Sequence, residues 1–321
     1  MPIFEMPLEQ LLVYQGTNPR PKDHEHYWAR ALKEMHALGT GCDLRPAAFT
    51  APGVDCFDLY FTGVGGARVY AKLLSPKGRD NCPALVRFHG YSGDSGDWAH
   101  HLAYAQAGFV VAALDCRGQG GKSQDVGGVQ GNTLYGQIIR GLDDPDPDKL
   151  LTRALFLDAA QLARIVMALP QVDPHRVGAT GGSQGGALTL ACAALEPGIA
   201  RLAPVYPFMC DYRRVWDMDL AVDAYRELRD YFRKFDPQHH RAEATFTKLG
   251  YIDLQHLAHR IKGQTLMLVG LMDTICPPST QFAAYNKITA DKRYEFWPDF
   301  GHEGLPGGDD LIFSFMAGLL A

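Results

Sequence analysis

Gly181-Gly182-Ser183-Gln184-Gly185-Gly186 is the stretch on which the reading of this chain turns. Upstream, residues 176–180 read as a short strand; downstream, residues 185–195 read as a helix. A serine on so tight a strand-to-helix turn has a strained backbone, and Gly181 and Gly185 lack the Cβ atoms that would collide there. The turn lifts the hydroxyl to the carboxyl end of a sheet, above a helix N-terminus whose free N–H groups suit a developing oxyanion. A glycine-rich turn that merely contains a serine is the plainer alternative. The strand-turn-helix setting favours a nucleophile.

The surrounding pattern supports that setting. Residues 84–88, 109–114, 202–206, 265–269 and 293–297 read as further strands, and 109–114 is almost uninterrupted in apolar residues, as a strand buried on both faces should be. Residues 98–107 and 154–169 read as helices, the first ended by Gly108 and the second by Pro170. Residues 56–61 and 67–74 form an expected antiparallel hairpin around Gly63-Val64-Gly65-Gly66. Such alternation predicts an α/β fold with a mainly parallel eight-stranded sheet and helices on both faces. Ahead of it, residues 1–52 read as an arm with one helix, capped by Asp23 and closed by Gly39. The helical stretch 207–262 reads as an insertion over the sheet edge. The acidic, proline-rich run 143–148 reads as a solvated loop, since its two prolines disrupt the ordered spacing of a calcium loop. All 321 residues are thus expected to form one domain.

A serine hydroxyl needs a base to attack at neutral pH. On a sheet of this kind the acid follows the nucleophile after a later strand, and the histidine comes last. Asp273 lies just past strand 265–269 and His302 just past strand 293–297, so Ser183, Asp273 and His302 should meet at one sheet edge. Asp299 is too near His302 to fill the earlier position. Backbone N–H groups for an oxyanion are expected from Gln184, after the nucleophile, and from Tyr91 in the His89-Gly90-Tyr91 loop. His89 itself reads as structural. The adjacent pairs His100-His101 and His239-His240 cannot share a helix face, and His256 and His259 lack a third ligand, so no metal site is expected. Gly118, Gly120 and Gly121 resemble a phosphate loop only loosely, with no G-K-[ST] ending in the required frame.

Composition narrows the remaining choices. Charged residues make up 21% and the net charge is -5, which argues against a nucleic-acid binder. No apolar run reaches the length of a membrane span, and the N-terminus has no basic segment preceding an apolar one. Seven widely spaced cysteines without a C-x-x-C pair point to reduced thiols and a cytoplasmic location.

Three motifs, Arg117-Gly118-Gln119, Gly181 to Gly186, and His302-Glu303, resemble the signatures of carbohydrate esterase family seven, the acetyl xylan esterases and cephalosporin C deacetylases. Segments 2–28, 177–195, 251–262 and 270–286 resemble it too, so the likeness covers essentially the whole chain. It implies an α/β-hydrolase fold with nucleophile Ser183, acid Asp273, base His302 and oxyanion donors Tyr91 and Gln184. It implies no cofactor, structural roles for Arg117 and Gln119, a small acetylated substrate, and a hexamer. A serine peptidase on the same fold, or a non-catalytic binding module, are the alternatives.

Overall fold

The computed structural model describes residues 5–129 and 136–321. The N-terminal segment supplies helices α1 (Leu8–Leu11) and α2 (His24–Ala37) and then strand β1 (Cys42–Pro46). The expected hairpin follows as β2 (Val54–Thr62) and β3 (Arg68–Pro76). Strands and helices then alternate: β4 (Cys82–Phe88), α3 (Leu102–Ala107), β5 (Val110–Leu114), α4 (Leu151–Met167), β6 (Val172–Gly182), α5 (Gln184–Leu195) and β7 (Ile199–Val205). Helices α6 (Tyr212–Asp217), α7 (Arg226–Phe235) and α8 (Ala242–Leu249) intervene before β8 (Gln264–Gly270), α9 (Pro278–Tyr285), β9 (Lys292–Trp297) and α10 (Gly308–Ala317).

The strands form one sheet in the order β1-β2-β3-β5-β4-β6-β7-β8-β9. Pairing from β5 to β9 is parallel; β1 to β3 continue it antiparallel across β3 and β5. All five residues of β5 are buried, which is why it carries no polar alternation. Leu85 and Val111 point into the layer with α3 and α10, whereas Val86 and Ala112 point into the layer with α4 and α5. Helices therefore cover both faces, as the alternation required.

Three expectations need correction. The sheet has nine strands rather than eight, because β1 lies within the stretch read as an arm. Four of its five residues are exposed, so it has no apolar period to reveal it, and it ends at a proline suited to an edge. Asp23 precedes α2 without capping it; its carboxylate accepts from the Tyr251 hydroxyl at 2.5 Å. Finally, the run 143–148 is docked rather than solvated. Asp144 is only 4% exposed, Asp143 accepts from Tyr231 at 2.6 Å and from Arg241, and Lys248 donates to Leu142 O at 3.0 Å. The preceding part of that irregular stretch, 132–135, falls outside the described residues.

A buried carboxylate pair ties the N-terminal segment to the helices between β7 and β8. Asp211 accepts from the Tyr14 hydroxyl at 2.8 Å and from the backbone N–H groups of Thr17 and Asn18 at 3.0 and 2.8 Å. The Asp211 N–H donates to Asp253 at 2.9 Å, and Asp253 also accepts from Gln255 N at 3.1 Å. Both carboxyls are fully buried. Burial, reinforced by the nearby Asp211 charge, pushes Asp253 up to about 7. The folded state thus holds a proton that the unfolded chain releases near pH 4. This contribution to stability is complete below the unfolded value and is lost as pH rises through the folded one, by up to about 1.4 kcal/mol per pH unit. Burial shifts His24 and His101 down to about 4 and His256 to about 3, an effect of opposite sign. The informative quantity is therefore a difference. Asp253→Asn should gain melting temperature relative to wild type as pH is raised from 5 to 8, measured by calorimetry; a constant difference would refute the proton held on Asp253.

Candidate active site

Ser183 connects β6 to α5 with φ 58° and ψ −119°, a positive φ that a serine adopts only under constraint. The constraint is steric. A Cβ on Gly185 would stand 2.2 Å from Phe88 O, and one on Gly181 would stand 2.5 Å from the same atom. Glycine at both positions lets the end of β4 press against the turn. Backbone bonds hold the strained residue: Ser183 N donates to Val205 O at 3.0 Å, and Phe208 N donates to Ser183 O at 3.1 Å.

The three residues read from spacing meet here. His302 Nε2 lies 2.9 Å from Ser183 Oγ, and His302 Nδ1 lies 2.8 Å from Asp273 Oδ2. Asp273 is fully buried, and its other oxygen accepts from Ile275 N and Cys276 N at 2.9 and 2.8 Å. An ionised carboxylate offers only lone pairs, so this network puts the proton on Nδ1 and leaves Nε2 to accept the Ser183 hydroxyl. Met272 N donates to Phe300 O at 2.9 Å, joining the loop that bears Asp273 to the one that bears His302.

Gln184 and Tyr91 are also brought together. The side chains of Gln184 and Gln119 exchange two hydrogen bonds, at 2.8 and 2.9 Å, and Gln119 Oε1 accepts from Ser92 N at 2.9 Å. Gln119 therefore clamps the loop after β4 to the first residue of α5. Arg117 makes a bidentate pair with Asp158 on α4, at 2.6 and 2.7 Å, and donates to Val64 O at 3.1 Å; the two side chains are 2% and 1% exposed. His89 is structural, as expected. Its Nδ1 donates to Gly90 O at 2.7 Å and its Nε2 accepts from Cys116 N at 3.0 Å, while burial lowers its pKa and keeps it neutral.

The sequence reading missed the residues that surround this cluster. Tyr206, at φ 30°, sets its ring 4.5 Å from that of His302, and Phe208 packs edge-on against Tyr91 at 5.8 Å. Neither residue belongs to a motif; only their position just past the carboxyl end of β7 could have pointed to them. Cys276 is buried. It also lies within the triad, its donor atom within 4.8 Å of those of Asp273 and His302. Both His302 nitrogens are already engaged, and burial holds the Cys276 thiol well above its usual range, so the trio is poorly suited to a metal ion. None of the paired histidines joins a ligand cluster among the described residues.

The acetyl xylan esterase family model matches residues 1–319. The chain belongs to the acetyl xylan esterase family. A crystal structure of acetyl xylan esterase 1 from Thermoanaerobacterium sp. is 57% identical, with a TM-score of 0.97 over 99% of this chain and 100% of that one. An acetyl xylan esterase from a Paenibacillus species is 32% identical, with a TM-score of 0.92 over 98% and 99%. Acetyl esterase Axe7A of Xylanibacter ruminicola is 24% identical over 280 residues, 85% of this chain but 61% of that protein's length. An acylaminoacyl peptidase from Pyrococcus horikoshii, 15% identical with a TM-score of 0.57, shares the fold alone.

For this family member, Arg117 and Asp158 should be coupled. Arg117→Met leaves Asp158 charged, buried and unpaired, at a cost of about 3–5 kcal/mol. Denaturant unfolding should show that loss, and the double variant Arg117→Met/Asp158→Leu should recover most of it. Equal stability of the single and double variants would contradict the coupling.

Proposed function

We propose that the protein is a serine esterase that removes acetyl groups from small esters, acetylated xylo-oligosaccharides first and cephalosporin C second. The observation that carries this reading is the continuous chain Asp273–His302–Ser183, with links of 2.8 and 2.9 Å, in a member of the acetyl xylan esterase family. The relatives' names supply the acyl group; the geometry supplies the means of removing it.

The reaction follows from the proton inventory. His302 Nε2 takes the Ser183 proton as Oγ attacks the acetyl carbonyl, and Asp273 stabilises the resulting imidazolium without taking its proton. The carbonyl oxygen becomes an oxyanion between the N–H groups of Gln184 and Tyr91, which the Gln119 clamp holds in register. Collapse expels the alcohol, protonated by His302, and water then repeats the sequence on the acetyl-serine. Tyr91, packed against Phe208, narrows the acyl side of the pocket.

The same proposal places the protein in the cytoplasm as a homohexamer with no cofactor. All seven cysteines are free thiols, in keeping with a reducing compartment, and no helix among the described residues is long and apolar enough to cross a membrane. The hexamer rests on the family resemblance.

Two measurements test this reading. Ser183→Ala should lower 4-nitrophenyl acetate turnover by roughly 10⁴-fold or more and abolish labelling by a fluorophosphonate. Near-wild-type turnover in that variant would overturn the scheme. With wild-type enzyme, kcat/KM on octanoyl esters should fall at least about tenfold below that on acetyl esters, and Tyr91→Ala should shrink the gap. Equal rates on both chain lengths would remove Tyr91 from the acyl pocket.

A further inference from the structure

An open cleft of about 690 Å³ lies at the carboxyl end of the sheet, on the side of α3 and α10. Gly182 and Tyr206 line it, together with Arg87, Tyr104 and Gly304. Three of these adjoin the triad. Gly182 precedes Ser183, Gly304 lies two residues beyond His302, and the Tyr206 ring is 4.5 Å from the His302 ring.

Arg87 gives the cleft its chemistry. As the penultimate residue of β4 it lies between buried Val86 and Phe88, where a charge is costly without a counter-charge. Its Nη1 donates to His100 O at 2.7 Å and to His101 Nδ1 at 2.8 Å. His101 Nε2 in turn donates to Ser95 O at 2.8 Å, so that imidazole is neutral and does not compensate the charge. No carboxylate among the described residues forms an ion pair with Arg87, and its Nε and Nη2 have no partner there. Those two nitrogens form one edge of the guanidinium fork, the edge that accepts a carboxylate with two parallel hydrogen bonds. Asp309 and Asp310 also line the cleft, and the Asp309 charge reaches Arg87 without pairing with it. They would repel a polyanion, so the site favours a ligand with a single negative charge.

We propose that this cleft is a carboxylate subsite, in which Arg87 receives the uronic acid of an acetylated oligosaccharide while a neighbouring sugar presents its acetyl ester to Ser183. The inference rests on the esterase reading and deepens it by naming an acidic class of substrate. The cleft reaches the triad through Tyr206, whose ring packs against His302, the group that protonates the departing alcohol in the proposed reaction, so the carboxylate is assigned to the leaving group and not to the acyl group.

The test is acetate release from two matched acetylated xylo-oligosaccharides, one bearing a glucuronic acid and one neutral, with 4-nitrophenyl acetate run alongside. Wild-type kcat/KM should be about tenfold higher on the acidic substrate, with the gain in KM and shrinking as salt is raised. The ratio should fall to about one in Arg87→Gln and be partly kept in Arg87→Lys. Equal wild-type rates on both oligosaccharides would overturn the subsite and leave the esterase reading intact. A preference that survives Arg87→Gln would likewise remove Arg87 from recognition. Failure on all three esters would overturn the esterase reading itself. Should Arg87→Gln not fold, sodium glucuronate decides with wild type alone: competitive inhibition of the neutral substrate, absent with xylose, supports the subsite, and no inhibition refutes it.

Discussion

The carbonyl oxygen of Phe88 presses against the turn between β6 and α5, and most of the site follows from that contact. It leaves no volume for a Cβ on Gly181 or Gly185, so the end of β4 and the start of α5 close to backbone distance. Ser183 is thereby held at positive φ, a conformation that costs on the order of 1–3 kcal/mol and persists only where neighbours over-determine it. The bonds to Val205 O and from Phe208 N supply that constraint from β7 and its following loop. The same approach brings the loop with Tyr91 alongside Gln184. One steric contact thus sets Ser183 and gathers the groups proposed to face the oxyanion.

This contact lies between strands that are neighbours in the sheet but far apart in sequence, yet its consequence was readable. A turn that needs glycine on both sides of a serine leaves a local mark, and the order Ser183, Asp273, His302 follows from parallel strands ending at one edge. What escaped reading was of another kind. The partners Arg117 and Asp158, Asp211 and Tyr14, and Asp143 and Tyr231 are separated by 41, 197 and 88 residues. Each carboxylate is polar by composition, and polar runs ordinarily face water; burial came from a distant partner that no local period encodes. β1 was hidden for the converse reason. Its edge position leaves four of its five side chains in solvent, so it is held mainly by backbone pairing, which leaves no apolar period in the sequence.

The polar contacts around the triad divide into two sets with different work. Asp273 is saturated: one oxygen is fixed by two N–H groups of its own turn, the other by His302. Arg117, Asp158, Gln119 and Gln184 likewise have their bonding met within the protein, and all serve to hold loops that bear reacting groups. Such groups gain from rigidity, since in the proposed reaction a displacement of the oxyanion donors or of the imidazole would misalign attack.

Arg87 stands apart from this set, because half of its hydrogen-bonding edge is spent on His100 and His101 and half is left facing the cleft. A neutral donor could have served the first half as well. The charge also meets the Tyr104 ring at 5.6 Å and the field of Asp309, and the residue's place on the strand beside that of Ser183 sets its open edge next to the proposed site. Tyr206 belongs to both regions, its ring tilted against that of His302 at 4.5 Å while the residue also lines the cleft. In the proposed reaction the imidazole passes the Ser183 proton to the departing alcohol, so the ring packed against that imidazole also borders the cleft assigned to the leaving group.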